Sequence, residues 1–158
     1  MKVLLVSDTH GTDTMLEKAL EIEKPDFLCH MGDVEGSEEY IRMIAGCPIA
    51  MVSGNNDFWS DLESEVKFEL EGFRIFMTHG HYYYVHSGTE DLRAAGIRNG
   101  ADIILFGHTH QPTLEEYDHL IIANPGSLTY PRQRNHQPSY MVMNLEKGKE
   151  PKIEVKYL

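Results

Sequence analysis

The chain is 158 residues long, 41% hydrophobic and 25% charged, with 14 Lys and Arg against 25 Asp and Glu for a net charge of -11. This length suits a single domain over residues 1–158, no apolar run approaches the ~20 residues that cross a bilayer, and so acidic a balance excludes a general electrostatic grip on nucleic acid or an anionic membrane. Cys29 and Cys47 are not in Cys-x-x-Cys spacing and the opening MKVLLVSD is too short for a signal-peptide core, so a reduced, cytoplasmic protein is expected.

Val3–Val6 reads as an apolar strand that runs into Ser7-Asp8-Thr9-His10-Gly11. Asp13–Glu23 follows, with Met15, Leu16, Ala19, Leu20 and Ile22 at helical spacing behind Thr12 or Asp13 as a cap. Phe27–Cys29 is the second strand; it leads through His30, read as a buried and hydrogen-bonded histidine, to Gly32-Asp33. A second helix over Ser37–Ala45, with its own serine cap, precedes the strand Ile49–Val52 and the loop Ser53-Gly54-Asn55-Asn56-Asp57. This β-α-β-α-β order demands right-handed crossovers and parallel strands.

Val66–Leu70 and Ile75–Met77 are the next strands, the second ending in Thr78-His79-Gly80-His81 and the tyrosines Tyr82 to Tyr84. A helix over Thr89–Asn99 stops near Gly100, and the strand Ile103–Phe106 ends in Gly107-His108-Thr109-His110. Beyond that point Leu120–Ala123, Tyr140–Met143 and Ile153–Val155 follow one another through short turns such as Asn124-Pro125-Gly126, which predicts an antiparallel section.

Five strands therefore end in polar residues beside glycines. In an α/β sheet the ligand crevice lies outside the carboxyl ends of the strands, so Asp8, His10, Asp33, Asn55, His79, His108 and His110 are expected to converge on one rim. Asp8 with His10, and His108 with His110, share the i, i+2 spacing that points two side chains the same way if the extended backbone persists. Seven donors exceed the needs of one tetrahedral ion, and imidazole, carboxylate and amide oxygen without thiolate suit two borderline-hard divalent ions, Mn2+ first, with Fe, Ni2+ or Zn2+ as alternatives. Two ions need a bridge, and Asp33 can give an oxygen to each. Asp57 reads as a residue that fixes a neighbouring imidazole or the backbone, and His119 and His136 as solvated.

The ordered series Asp8-x-His10, Gly32-Asp33, Gly54-Asn55-Asn56-Asp57, His79-Gly80-His81 and Gly107-His108-x-His110 resembles the calcineurin-like metallophosphoesterases, and the short chain looks like their small bacterial and archaeal phosphodiesterase branch. The resemblance runs from Val3 to about Arg132. It implies an α/β fold, a four-layer α/β/β/α sandwich with the metal site at the carboxyl ends of the strands. By the same resemblance one ion would take Asp8, His10, Asp33 and His110, and the other Asp33, Asn55, His79 and His108.

The implied activity is hydrolysis of a phosphate diester by a hydroxide held between two ions ~3.5–4 Å apart, in a locally positive pocket that attracts small phosphate esters to an acidic molecule. Asp33 and Asn55 would serve that chemistry directly. The better-known phosphatases of the superfamily carry Gly-Asn-His where this chain has Gly54-Asn55-Asn56, and an amide cannot donate a proton as an acid. Asn56 is then a substrate contact, His81 the nominated proton source with a supporting hydrogen-bond role as its alternative, and Arg132 a candidate phosphate contact. The tyrosines beside His81 suit a substrate mouth, a homo-oligomer contact or plain packing. Two other readings compete: a phosphomonoesterase or protein phosphatase, disfavoured by Asn56, and a non-catalytic binding scaffold of the same fold, which has no physical reason to keep all seven ligands.

Overall fold

The computed structural model describes residues 1–158. β1 (Lys2–Val6), α1 (Thr14–Glu23), β2 (Phe27–His30), α2 (Glu38–Ile44) and β3 (Ile49–Met51) form the expected alternating unit. They are followed by β4 (Glu65–Leu70), β5 (Phe73–Thr78), a short 3-10 turn at His81–Tyr83, α3 (Glu90–Arg98), β6 (Ile103–Leu105), β7 (Pro112–Tyr117), β8 (Leu120–Pro125), β9 (Ser139–Asn144) and β10 (Lys152–Tyr157).

The strands make two five-stranded sheets, in the orders β10-β9-β1-β2-β3 and β4-β5-β6-β8-β7. Each contains three parallel strands, β1-β2-β3 in one and β5-β6-β8 in the other; antiparallel strands adjoin the first set on its β1 side only, leaving β3 at the edge, and the second set on both sides. Both faces of each sheet are covered, which is why the central strands read as unbroken apolar runs. Val3 and Leu5 point into the space between the sheets with Cys29, Met31, Ile75, Met77, Ile103 and Leu105. Leu4 and Val6, one residue out of phase, pack against Leu16, Ala19 and Leu20 of α1 and Ile41 of α2. On the far side, Phe76, Ile104 and Ile122 meet Leu92 and Ala95 of α3. The result is the four-layer α/β/β/α arrangement. Gly96 lets α3 lie close to its sheet, since a Cβ there would fall 2.1 Å from Ile104 Cδ1.

Three local expectations need correction. Strand β7 has no run of apolar residues in Pro112-Thr113-Leu114-Glu115-Glu116-Tyr117; it forms because it is an edge strand whose backbone pairs with β8 while its side chains stay largely in water. Asp13 and Ser37 stand at the helix starts, yet neither side chain caps its helix. The Ser37 hydroxyl donates instead to the Val34 carbonyl at 2.8 Å.

Candidate metal centre

The carboxyl ends of β1, β2 and β3 meet those of β5 and β6 at one edge of the sandwich. Loop is tied to loop there: Asp8 N–H donates to Gly32 O at 3.0 Å, His10 N–H to Asp33 O at 2.8 Å, and Gly107 N–H to His79 O at 3.0 Å. Gly54 allows the loop after β3 to close on Asp33, because a Cβ there would lie 2.1 Å from Asp33 Oδ1.

The extended backbone does not persist into these loops. Asp8, His10, Asp33, His108 and His110 have φ of 56°, 48°, 56°, 69° and 59°, all in the left-handed region. The i, i+2 pairs thus share a site because the chain curls around it rather than because a strand continues. Such conformations cost on the order of 1–3 kcal/mol each in non-glycine residues, and here the surrounding hydrogen bonds hold them.

Asp8, His10, Asp33 and His110 bring one donor atom each to within 4.8 Å of one another and could hold a metal ion. The ring tautomers follow from the outer partners. His10 Nδ1–H donates to Glu35 Oε1 at 2.7 Å and His110 Nδ1–H to Tyr130 O at 2.8 Å. Both Nε2 atoms are then lone pairs, and they face each other at 3.3 Å, while His110 Nε2 lies 3.1 Å from Asp8 Oδ1. Asp8 Oδ1 is buried and has no hydrogen-bond partner. Acceptors converging on acceptors in a buried site are repulsive unless a cation lies among them.

Without a metal, a proton is the substitute. Burial would raise the Asp8 carboxyl, but a proton taken up between it and His110, with the charges of His79 and His110, outweighs burial and holds it at about 2. Burial would lower His110, and Asp8 more than reverses that. The residues present therefore fit a divalent cation.

The second group adjoins the first through Asp33, whose Oδ2 is 3.8 Å from His10 Nε2 and 3.6 Å from His79 Nε2. His79 Nδ1–H donates to Met31 O at 2.6 Å, which turns its Nε2 lone pair toward Asn55 Oδ1 at 3.1 Å. The His108 ring packs edge-on to His79 with centroids 5.0 Å apart, and burial followed by the charges of His79 and His86 pushes it down to about 4. All seven sequence-nominated ligands thus stand at one rim.

The remaining nominees fall in different places. Asn56 points at Asp33 rather than into open space: its Nδ2 donates to Asp33 Oδ2 at 2.7 Å and its backbone N–H to Asp33 Oδ1 at 2.9 Å. His81 sits beside His79 and against Tyr82, with centroid separations of 5.4 and 4.0 Å. Its Nδ1 is buried without a partner, and burial, then His79, lowers its pKa. Arg132 is exposed on an open cleft of about 590 Å3 shared with His10, His110, Tyr130 and His136. Tyr82 and Tyr84 face solvent, whereas Tyr83 turns inward onto Phe76 and hydrogen-bonds Glu65.

His30 is fully buried as expected: its Nδ1 accepts from Gly32 N–H at 3.2 Å, so its Nε2–H donates to Thr9 Oγ1 at 3.1 Å. Asp57 works on the backbone, accepting from Asp33 N–H, Gly54 N–H and Glu35 N–H. Sequence reasoning missed Glu35, the partner of His10. It also missed Ser127, whose hydroxyl donates to Asp8 O at 2.8 Å. A carboxylate two residues past Gly32-Asp33 was the available signal for Glu35; Ser127 left none beyond its turn.

Comparison with known proteins agrees with this geometry. The family model described as the calcineurin-like phosphoesterase superfamily domain matches residues 1–148. Phosphodiesterase YfcE of Escherichia coli K12 is 31% identical over 163 residues, spanning 85% of this chain and 83% of that protein. A conserved predicted phosphoesterase from Streptococcus pneumoniae superposes with a TM-score of 0.86 at 25% identity, over 99% of this chain and 88% of that one. Vps29 of Entamoeba histolytica, crystallised with Zn2+, superposes with a TM-score of 0.79 over 99% of each chain; at 23% identity this is a likeness of fold alone.

Proposed function

The chain belongs to the calcineurin-like phosphoesterase superfamily, and from that premise we propose that it is a two-metal phosphodiesterase acting on small phosphate diesters. Asp8, His10, Asp33 and His110 would hold one divalent ion, and Asp33, Asn55, His79 and His108 the other, with Mn2+ the first choice. The observation that carries this is the position of Asp33 Oδ2, 3.8 Å from His10 Nε2 in one group and 3.6 Å from His79 Nε2 in the other. When bound, the two ions supply an acidified water and a positive clamp on phosphoryl oxygens.

The chain's own residues do the rest. Asn56 pins the bridging carboxylate in one rotamer through its 2.7 Å hydrogen bond. The outer partners of His10, His79 and His110 fix each ring so that Nε2 faces the centre. No acid stands at position 56, which favours leaving groups that depart as anions; His81, beside the second group, is the proton source for those that do not. Arg132 offers a positive charge at the mouth. The phosphodiesterase name of YfcE supports the diester reading, and the complete donor set is a feature that a non-catalytic scaffold does not need. The two free thiols suit a reducing cytoplasm.

The test is reconstitution with Mn2+, metal analysis, and assay on a panel of diesters and monoesters. Close to two ions per chain and faster cleavage of aryl diesters than alkyl monoesters are expected, with Asp33→Asn nearly inactive. One ion or none would sink the two-metal mechanism, and a preference for alkyl monoesters would overturn the diesterase reading.

A further inference from the structure

Directly after Asn56 and Asp57 the chain presents Phe58 and Trp59, residues 78% and 98% exposed. Apolar surface this open beside a functional centre asks for an occupant. The two residues line a cleft of about 420 Å3 together with Glu35, Glu38, Asn56 and Asp57. That volume suits one ring system rather than a protein segment.

The cleft is bonded to the centre. Glu35 holds His10 at 2.7 Å and Asn56 holds Asp33 at 2.7 Å, so its wall is one hydrogen bond away from two of the nominated ligands. Its aromatic loop is anchored too: the Asp57 carboxylate takes three backbone N–H groups, and Ser60 N–H closes the turn onto Asp57 O at 3.3 Å. The backbone that carries Trp59 is therefore tied to the loop of Asn55 and Asn56, beside the centre.

We propose that this cleft binds one esterifying arm of the diester and that the arm is a nucleoside, bonded to phosphorus through its sugar, with its base stacked on Trp59. The carboxylates of Glu35 and Glu38 disfavour a second anionic group there and accept hydrogen bonds from ring and exocyclic N–H groups, which nucleobases carry. The cleft on the other side of His10, with Arg132 and His136, has the opposite charge preference. The proposal rests on the diesterase reading for what the rest of the substrate is.

Trp59 is the only tryptophan in the chain, so its emission reports on the cleft alone. The Mn2+-loaded protein is titrated with AMP and, separately, with ribose 5-phosphate, which carries an anomeric hydroxyl where AMP carries the base. AMP should change Trp59 fluorescence saturably and ribose 5-phosphate should not. As inhibitors of bis(p-nitrophenyl) phosphate hydrolysis, AMP should bind about five- to a hundred-fold tighter than ribose 5-phosphate. Trp59→Ala should bring the two inhibition constants together by weakening AMP only; a side chain this exposed can be removed without disturbing the fold.

Equal inhibition constants with unmoved fluorescence in a protein that does cleave the diester would overturn the nucleoside arm and leave the diesterase reading standing. A protein that cleaves no diester would sink that reading, and the fluorescence titration would still decide the cleft. A fall in solution mass on Trp59→Ala would show that the aromatic pair is covered by a second copy of the chain, and would overturn the proposal.

Discussion

The carboxylate of Asp57 and the backbone of Asp33 are joined by a 2.8 Å hydrogen bond that crosses from the loop after β3 to the loop after β2. The same carboxylate accepts from Gly54 N–H and Glu35 N–H, each at 2.7 Å. One side chain thus sets the register of both loops that carry Asp33, Asn55 and Asn56.

Asp57→Ala should lower stability by about 3 kcal/mol, because several N–H groups in a largely buried place lose their acceptor together. Metal retention should fall with it, and Asp57→Asn should lie between the two. Urea unfolding of each variant measures the first effect. A loss under about 1 kcal/mol would mean that water replaces the carboxylate without penalty.

Glu35 acts on the centre through His10. Removing it frees the ring to rotate and lowers the basicity of Nε2, and changes of this kind weaken metal affinity by about 10–100-fold. Of the two ions proposed, Glu35→Ala should therefore bind the one at His10 more weakly and leave the other unaffected, a split that titration calorimetry with Mn2+ resolves. Two equally weakened sites would contradict the assignment of Glu35 to one half of the centre.

At position 56 the change of interest is Asn56→His. General-acid assistance is worth about 10²–10⁴-fold for a group that must leave protonated and little for a good anionic leaving group. The ratio of kcat/KM on an alkyl monoester to that on an aryl diester should rise, with metal saturating in both proteins. The new imidazole must give up the hydrogen bond to Asp33 Oδ2, so some loss of metal affinity is expected alongside. An unchanged ratio with the metal in place would remove Asn56 as the determinant of leaving-group preference.

The pH dependence of stability carries a signature of His30. Burial, only partly opposed by Asp8 and Asp57, pushes its pKa down to about 4 from an ordinary 6.5. Above pH 6.5 the ring is neutral in both folded and unfolded chains. As pH falls below that value the unfolded chain takes up a proton that the folded one refuses, so stability drops until pH reaches about 4. The full drop is about 3 kcal/mol. In metal-free protein, His30→Gln should start less stable at pH 7 and lose less between pH 7 and 4.5 than the parent. Parallel pH profiles would show that His30 is not the group responsible.

The residues that converge were legible because each follows an apolar strand, and a β-α-β-α-β order places such strand ends on one rim. The way they converge was not. Spacing alone cannot distinguish an extended Asp8-Thr9-His10 from the left-handed turn the chain adopts, since both bring the two side chains together. Glu35 was hidden for a related reason: its partner His10 lies 25 residues away, and only the parallel pairing of β1 with β2 brings the loops side by side. Strand β7 escaped because an edge strand gains its order from backbone pairing, which hydrophobic pattern does not record. Asn56 carried the sharpest lesson, since its amide is spent on orienting Asp33 and its role in the site is positional.

Strand β1 lies between β2 and β9, with Leu4 paired to Leu28 on one side and to Val142 on the other. The whole second sheet, from β4 to β8, is therefore threaded between the two neighbours of the first strand. On a ribosome β1 and β2 emerge early, yet one edge of β1 stays open until β9 has been made. Contacts of such sequence separation form slowly, and an apolar strand with an unpaired edge is exposed to other chains in the meantime. The loop bearing Asp8 and His10, among the earliest residues to be synthesised, is thus among the last to be fixed, and refolding should be slow for a chain of this size, with losses that grow with protein concentration.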